Sequence, residues 1–192
     1  MVKNKTIFIL LIHLLLLITG CSYISSTLFY KDPLTAVEHN NLGVAYEKEG
    51  KLELAEREYK MAIDKDSDFT VSIINLGNVY FAQGKLKKAK KKYRKALEID
   101  PGNINAANNL GNLYLETGSD HDAAIELMTG NMSTPDEMPA YYLDTLARLY
   151  IETGEQLKGI EMLKLACTKA KEQSLKENID EMLSELKAGR CI

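Results

Sequence analysis

The eleven residues "NNLGVAYEKEG", Asn40 to Gly50, return as "INLGNVYFAQG" at Ile74–Gly84 and as "NNLGNLYLETG" at Asn108–Gly118. Both offsets are 34 residues, and a looser copy, "DTLARLYIETG" at Asp144–Gly154, follows after 36. Self-similarity at a fixed period constrains a chain more than local propensity does. Each copy must form the same supersecondary unit, and units that cannot bury an apolar face alone stack in a row. The chain as a whole is rich in Leu, Ala, Lys, Glu and Asn, which leans helical. The four Pro, at 33, 101, 135 and 139, stand where helices would start or stop.

The second copy places Gly77 inside a helical stretch, where Gly costs about 1 kcal/mol. On a wheel of about 100° per residue, Leu76, Gly77 and Tyr80 share one face. A missing side chain there admits a partner helix at close range, and tertiary packing offsets the propensity cost. Gly43 and Gly111 take the same reading. His39 falls on a packing position and reads as a core residue. Asn75 and Asn78 lie on the opposite face, with Asn41 and Asn109 repeating the first of these and Asn112 the second.

With Leu42-Gly43-Tyr46, Ala55, Tyr59 and Ala62, and then Leu76-Gly77-Tyr80, Ala89, Tyr93, Ala96 and Pro101, the chain resembles the tetratricopeptide-repeat family. Leu110, Gly111 and Tyr114 continue the pattern, leading to Ala123 or Ala124. Leu146, Ala147, Tyr150, Gly159, Leu163 and Ala166 supply a fourth copy. The resemblance covers residues 36–173. It implies an all-α, right-handed solenoid of four helix-turn-helix repeats, at 36–69, 70–103, 104–137 and 140–173, closed by a capping helix at 174–189. The apolar stripe Leu175, Ile179, Met182, Leu183 and Leu186 fits that cap. Three departures matter. Ser67 replaces the Pro of repeat one. "MTGNMSTPDEMP", Met128 to Pro139, sets Gly130 or Asn131 at an Ala position, so the second helix of repeat three is expected to end early and disturb its packing on repeat four. Ala147 and Gly159 exchange the small residue between the two helices of repeat four.

The N-terminus is of another kind. Lys3 and Lys5 precede a twelve-residue apolar run, Ile7–Ile18, broken only by His13. That suits a signal peptide's ~7–15-residue core and falls short of the ~20 residues of a membrane span. "ITGC", Ile18 to Cys21, resembles the bacterial lipobox. The resemblance implies cleavage before Cys21, lipid on its thiol and amine, and a domain tethered outside the cytoplasm. Residues 1–20 are then the signal peptide and 21–33 the lipidated linker; Asp32 and Pro33 read as the cap and first position of the first helix. Two or three acyl chains hold stably where one does not. Ser22 in place of Asp leans toward the outer membrane, facing the periplasm. Loss of Lys3 and Lys5 leaves 22 basic side chains against 27 acidic. That balance and the location exclude nucleic acid.

No catalytic, metal-binding or cofactor motif is legible: there is no phosphate loop, H-E-x-x-H or G-x-S-x-G. No small-molecule substrate is implied. Cys167 and Cys191 are expected to stay apart, because a capping helix of about 16 residues, ~24 Å long, carries Cys191 past Cys167. "KLKKAKKKYRK", Lys85 to Lys95, holds eight basic residues in eleven. It reads as the solvated face of a helix with Leu86, Ala89, Tyr93 and Ala96 inward; the sharper reading is contact with anionic lipid or an acidic partner.

In the tetratricopeptide family the first helices line a concave groove that often takes an extended peptide. The resemblance nominates Asn41, Asn75, Asn78, Asn108, Asn109, Asn112, Asp144 and Arg148, with Phe81 on the same face. Asn offers both donors and an acceptor to a peptide backbone; the other reading is a merely solvated face. Asn replaces the Lys and Arg with which part of the family clamps a C-terminal carboxylate, so no such clamp is expected. The implied function is a non-catalytic scaffold or adaptor for a protein or peptide partner in envelope assembly: pilus or secretin, outer-membrane insertion, or wall-enzyme recruitment. An accessory subunit of a peptidase or export system is the alternative.

Overall fold

Each first-helix glycine of the repeats meets a large side chain from the second helix, and this sets how the helices pair. The computed structural model describes residues 32–130 and 134–191. Among the described residues the helices are α1 (Ala36–Lys48), α2 (Leu52–Lys65), α3 (Thr70–Ala82), α4 (Leu86–Ile99), α5 (Ile104–Thr117), α6 (His121–Gly130), α7 (Ala140–Glu152), α8 (Gln156–Lys169) and α9 (Gln173–Glu185), with a 3-10 turn at Pro135–Glu137. They pair as α1/α2, α3/α4, α5/α6 and α7/α8, with α9 against α8. The fold is an all-α helical-repeat solenoid. No helix among the described residues is long and apolar enough to cross a membrane. The signal peptide, Cys21 and the linker up to residue 31 lie outside the described residues.

The chain divides into two units, Met1–Leu34 and Thr35–Ile192, and the second holds all the repeats. Asp32 does not cap the first helix; its Oδ1 accepts from the Leu34 amide in a local turn (3.2 Å). The cap is Thr35. Its hydroxyl accepts from the Glu38 amide, and the Glu38 carboxylate accepts from the Thr35 amide at 2.8 Å. The reciprocal box satisfies two free N–H groups at once, which explains why the helix starts beyond Pro33. Between the helices of repeat two, Gly84 adopts φ +69°, and the next amide, Lys85 N–H, reaches back to Tyr80 O (2.8 Å). Only Gly takes that left-handed turn without cost.

Inside the repeats, Ala55, Tyr59 and Ala62 of α2 and Ala89, Tyr93 and Ala96 of α4 are buried. A Cβ on Gly43 would stand 2.5 Å from the Tyr59 ring, and one on Gly77 would stand 2.5 Å from the Tyr93 ring. The tyrosine rings therefore press directly on the backbone of the first helices. In repeat three the register settles on Ala124, with Met128 in the tyrosine's place, its sulfur 2.8 Å from a Cβ on Gly111. In repeat four the small residue has changed helix: a Cβ on Gly159 would meet Ala147 O at 2.9 Å. Leu76, Leu110 and Leu146 are buried, but Leu42 stays 38% exposed. It is the first of the series and has no described repeat before it to pack on.

α6 is described as far as Gly130; residues 131–133, on which the expected early end falls, lie outside the described residues. Repeat four reaches the described part of this helix. Tyr142 Oη donates to Met128 O (2.9 Å), a carbonyl near the end of α6. Met138 is buried, and Lys169 Nζ donates to Met138 O (3.0 Å) and Asp136 O. His39 is buried, as a packed residue should be, but it also bonds Glu58 Oε2 through Nδ1 (2.9 Å). Burial pulls the Glu58 carboxyl up, yet hydrogen bonds from His39 and Arg57 outweigh it and hold the carboxyl below its ordinary range.

The C-terminus corrects the sequence reading. α9 stops at Glu185, not Gly189, and Lys187 (φ 53°) and Gly189 (φ 102°) turn the chain back along it. The Cys191 amide donates to Asp180 Oδ1 at 2.6 Å, and its sulfur lies 3.8 Å from Lys176 O. Cys191 thus returns to the level of Cys167, and the two are disulfide-bonded with a Cα–Cα distance of 5.7 Å. A straight helix would have separated them; the turn of 187–189 joins them. By the chain-entropy argument, a loop of that size stabilises by about 3 kcal/mol.

One substitution, made at two glycines, tests the packing with opposite signs. Gly77→Ala forces a methyl group into the Tyr93 ring and is expected to destabilise by about 1–3 kcal/mol despite better helix propensity. Gly130→Ala, with nothing within 4 Å of its Cβ, is expected to stabilise by up to about 1 kcal/mol. Urea denaturation followed by circular dichroism reads both; equal shifts would contradict the ring-on-glycine contact.

Candidate functional site

The first helices α1, α3, α5 and α7 stand side by side, and their polar faces are joined by a ladder of amides. Asn40 Oδ1 of α1 accepts from Ser72 Oγ (2.9 Å) and Asn75 Nδ2 (3.1 Å) of α3. Asn78 Oδ1 of α3 accepts from Asn109 Nδ2 of α5 (2.8 Å) and from the Tyr93 hydroxyl of α4 (2.9 Å). On α5, Asn112 Oδ1 accepts from Thr145 Oγ1 (3.3 Å) and Asn105 Oδ1 from the Tyr141 hydroxyl (3.0 Å), both donors on α7. Each junction between first helices is therefore bridged through an Asn carbonyl. The 34-residue offset relates Asn75 to Asn109 and Asn78 to Asn112, whereas Asn40 and Asn105 join the ladder from other positions.

The ladder borders a groove of about 860 Å³, within the ~300–1,000 Å³ span of ligand pockets. Of the nominated residues, Asn78, Asn109, Asn112 and Arg148 line it, as does Phe81. Asn75 stands in the ladder outside that lining, and Asn41 is exposed on α1 beyond it. Asn40, one residue earlier, makes the α1 contact instead. Asn108 and Asp144, one repeat apart, are each only 8% exposed and lie outside the lining.

The groove's other members carry signals of different strength. Glu116 and Glu152 share one repeat position, in "LYLETG" and "LYIETG", and were legible as a pair. Asn178, Glu181, Met182 and Glu185 come from α9, which forms a wall of the groove as well as a cap. Its apolar stripe divides accordingly. Ile179 and Leu183 are buried, while Met182 is half-buried and reaches the groove. Sequence alone marks the stripe and cannot say that its polar neighbours face α5 and α7.

Electrostatics single out Asp144. Burial pushes its carboxyl up, and the nearby Arg148 guanidinium, 3.2 Å from Oδ2, offsets this only in part. Its Oδ1 is buried with no hydrogen-bond partner. The basic stretch lies elsewhere. On α4, Ala89, Tyr93 and Ala96 face in, while Lys88, Lys91 and Lys95 are exposed. Part of that charge is spent: Lys90 pairs with Asp120 (2.9 Å), Lys85 with Glu56 (3.3 Å), and Lys88 sits 5.3 Å from the centre of the Tyr80 ring. Among the described residues no group of three or more His, Cys, Asp or Glu is placed to hold a metal ion.

A TPR repeat family model matches residues 77–118. Solved structures share the fold. A chain of MamA from Desulfovibrio magneticus RS-1, running from residue 41 to its end, is 18% identical, covers 80% of this chain and 86% of that one, and superposes with a TM-score of 0.64. A MamA RS-1 double mutant gives 18% identity, 79% and 84% coverage and a TM-score of 0.63. A thermophilic TPR protein of Thermus thermophilus gives 15%, 80%, 84% and 0.68. No curated protein matches the sequence.

The Asp144 environment makes a signed prediction. A carboxyl whose folded-state pKa is raised contributes stability that is complete below its unfolded pKa of about 4 and is lost as pH rises through the folded value. Asp144→Asn keeps an acceptor for Arg148 and removes the buried charge. It is expected to be near neutral at about pH 3 and to gain about 1 kcal/mol by about pH 7. Chemical denaturation at the two pH values checks this; a loss at neutral pH would mean the Asp144–Arg148 pair is net stabilising.

Proposed function

We propose that this solenoid, whose TPR fold suits protein–protein interaction, is a non-catalytic adaptor that holds an extended segment of a protein partner in its groove. The observation that carries the reading is the amide ladder. Each Asn spends one end of its amide on the neighbouring helix. Asn78 uses its oxygen and keeps its NH2; Asn109 uses its NH2 and keeps its oxygen. Asn112 likewise spends its oxygen on Thr145. The ladder holds these amides in place, so little rotamer freedom is lost when a peptide backbone takes the remaining ends. Phe81 and Leu115, half-buried beside them, offer apolar contact.

We place the adaptor at a bacterial envelope, lipid-anchored through Cys21 and facing the periplasm from the outer membrane. The support is the "ITGC" motif behind its apolar run, together with the Cys167–Cys191 disulfide, which suits an oxidising compartment. Its work there is the assembly of an envelope complex. Radiolabelled palmitate is expected to mark the wild type and to be lost in Cys21→Ala; label retained by that variant would end the lipoprotein reading.

The groove has its own test. A photo-reactive phenylalanine analogue at Leu115, in the groove, is expected to give a discrete adduct with a partner in intact cells. The same group at Lys91, on the outer face of α4, should give none. Adducts from Lys91 alone, or from neither site, would overturn the groove reading.

A further inference from the structure

We propose that the segment held in the groove is basic: an extended stretch with Lys or Arg side chains flanking an apolar one. This rests on the groove reading above and names its partner's chemistry. Four carboxylates line the cavity, Glu116 at the end of α5, Glu152 at the end of α7, and Glu181 and Glu185 on α9. The last two are four residues apart and so share a helix face. All four are exposed, and none makes an ion pair among the described residues. One cation lines the groove with them, Arg148, and its guanidinium is engaged with Asp144 at 3.2 Å. The cavity is therefore uncompensated negative surface.

The carboxylates are not grouped to converge on a metal ion. They are distributed along two walls, which suits charges spaced along a chain. Phe81, Leu115 and Met182 stand among them, half-buried, as seats for an apolar side chain between the cations. The chain's own lysines do not neutralise the cavity. Tyr93 of α4 faces the groove, while Lys88, Lys91 and Lys95 lie on the far side of the same helix. Complementary charge of this kind speeds encounter and sets specificity, and it weakens with salt.

The test uses the full-length oxidised chain in detergent and three fluorescent peptides of about 12 residues, extended at ~3.3 Å per residue. Leu alternates with Lys and Arg in the first, with Gln in the second and with Glu in the third. Fluorescence anisotropy at low salt is expected to give the basic peptide about ten-fold tighter binding than the Gln peptide. The advantage should vanish in a variant carrying Glu116→Gln, Glu152→Gln, Glu181→Gln and Glu185→Gln, all exposed positions where folding is expected to survive, as circular dichroism checks. Equal binding of the Gln or Glu peptide, or a basic peptide indifferent to the variant, overturns the proposal. So does a dimer of the chain, seen by sedimentation and dissolved by the same variant, with no peptide bound. A Leu115 adduct whose captured segment lacks Lys and Arg sinks the basic chemistry and leaves the groove reading standing. Failure of every peptide together with no Leu115 adduct sinks both.

Discussion

A Cβ on Gly77 would stand 2.5 Å from the Tyr93 ring, and the same distance holds between Gly43 and Tyr59. These contacts set the geometry on which the rest of the molecule depends. A ring against bare backbone brings the two helices of a repeat together closely, and interiors packed to crystal-like density do not tolerate a methyl group in that space. With that distance set, successive first helices stand near enough for an Asn on one to reach an Asn, Ser or Thr on the next. Repeats three and four reach the same end by other means. Met128 replaces the ring in one, and the glycine moves to position 159 in the other.

The ladder follows from that spacing. Asn78 accepts from Asn109 one helix along and from Tyr93 behind it, so the packing tyrosine also positions a groove residue. Structure and surface thus share side chains. A substitution meant to probe the groove at Asn78 would loosen the solenoid as well, whereas Glu152 or Glu181 offers charge with no structural bond attached. The wall from α9 is held in a different way. Ile179 and Leu183 bury against the last repeat, and the disulfide pins the tail behind them. Capping and groove building are one act, because the helix that shields the open end of the solenoid also presents Glu181 and Glu185 to its concave side.

Most of the fold was legible in the sequence. A period of 34 residues with Leu, Gly, Tyr and Ala at fixed offsets leaves little choice of architecture, since helices so marked can bury their apolar faces only against copies of themselves. The exchange of small residues at Ala147 and Gly159 could also be read from local pattern. The groove was legible in part. Asn78, Asn109, Asn112 and Arg148 line it, but Asn108 and Asp144 are buried and Asn41 stands apart. A helix wheel places residues on a face; it does not say how deep that face lies once a neighbour packs beside it.

What the sequence determined by itself was periodic: the helices, their pairing, and the residues that pack within each repeat. These depend on spacings of a few residues or on one fixed offset, and both are written in the chain. What only the tertiary structure decided was aperiodic. The turn at Lys187 and Gly189 brings Cys191 back to Cys167, Asn40 rather than Asn41 meets Asn75, and α9 turns its acidic face to the groove. Each depends on the angle at which one element leaves another. That angle is set by the summed packing of many side chains, and no single stretch of sequence carries it.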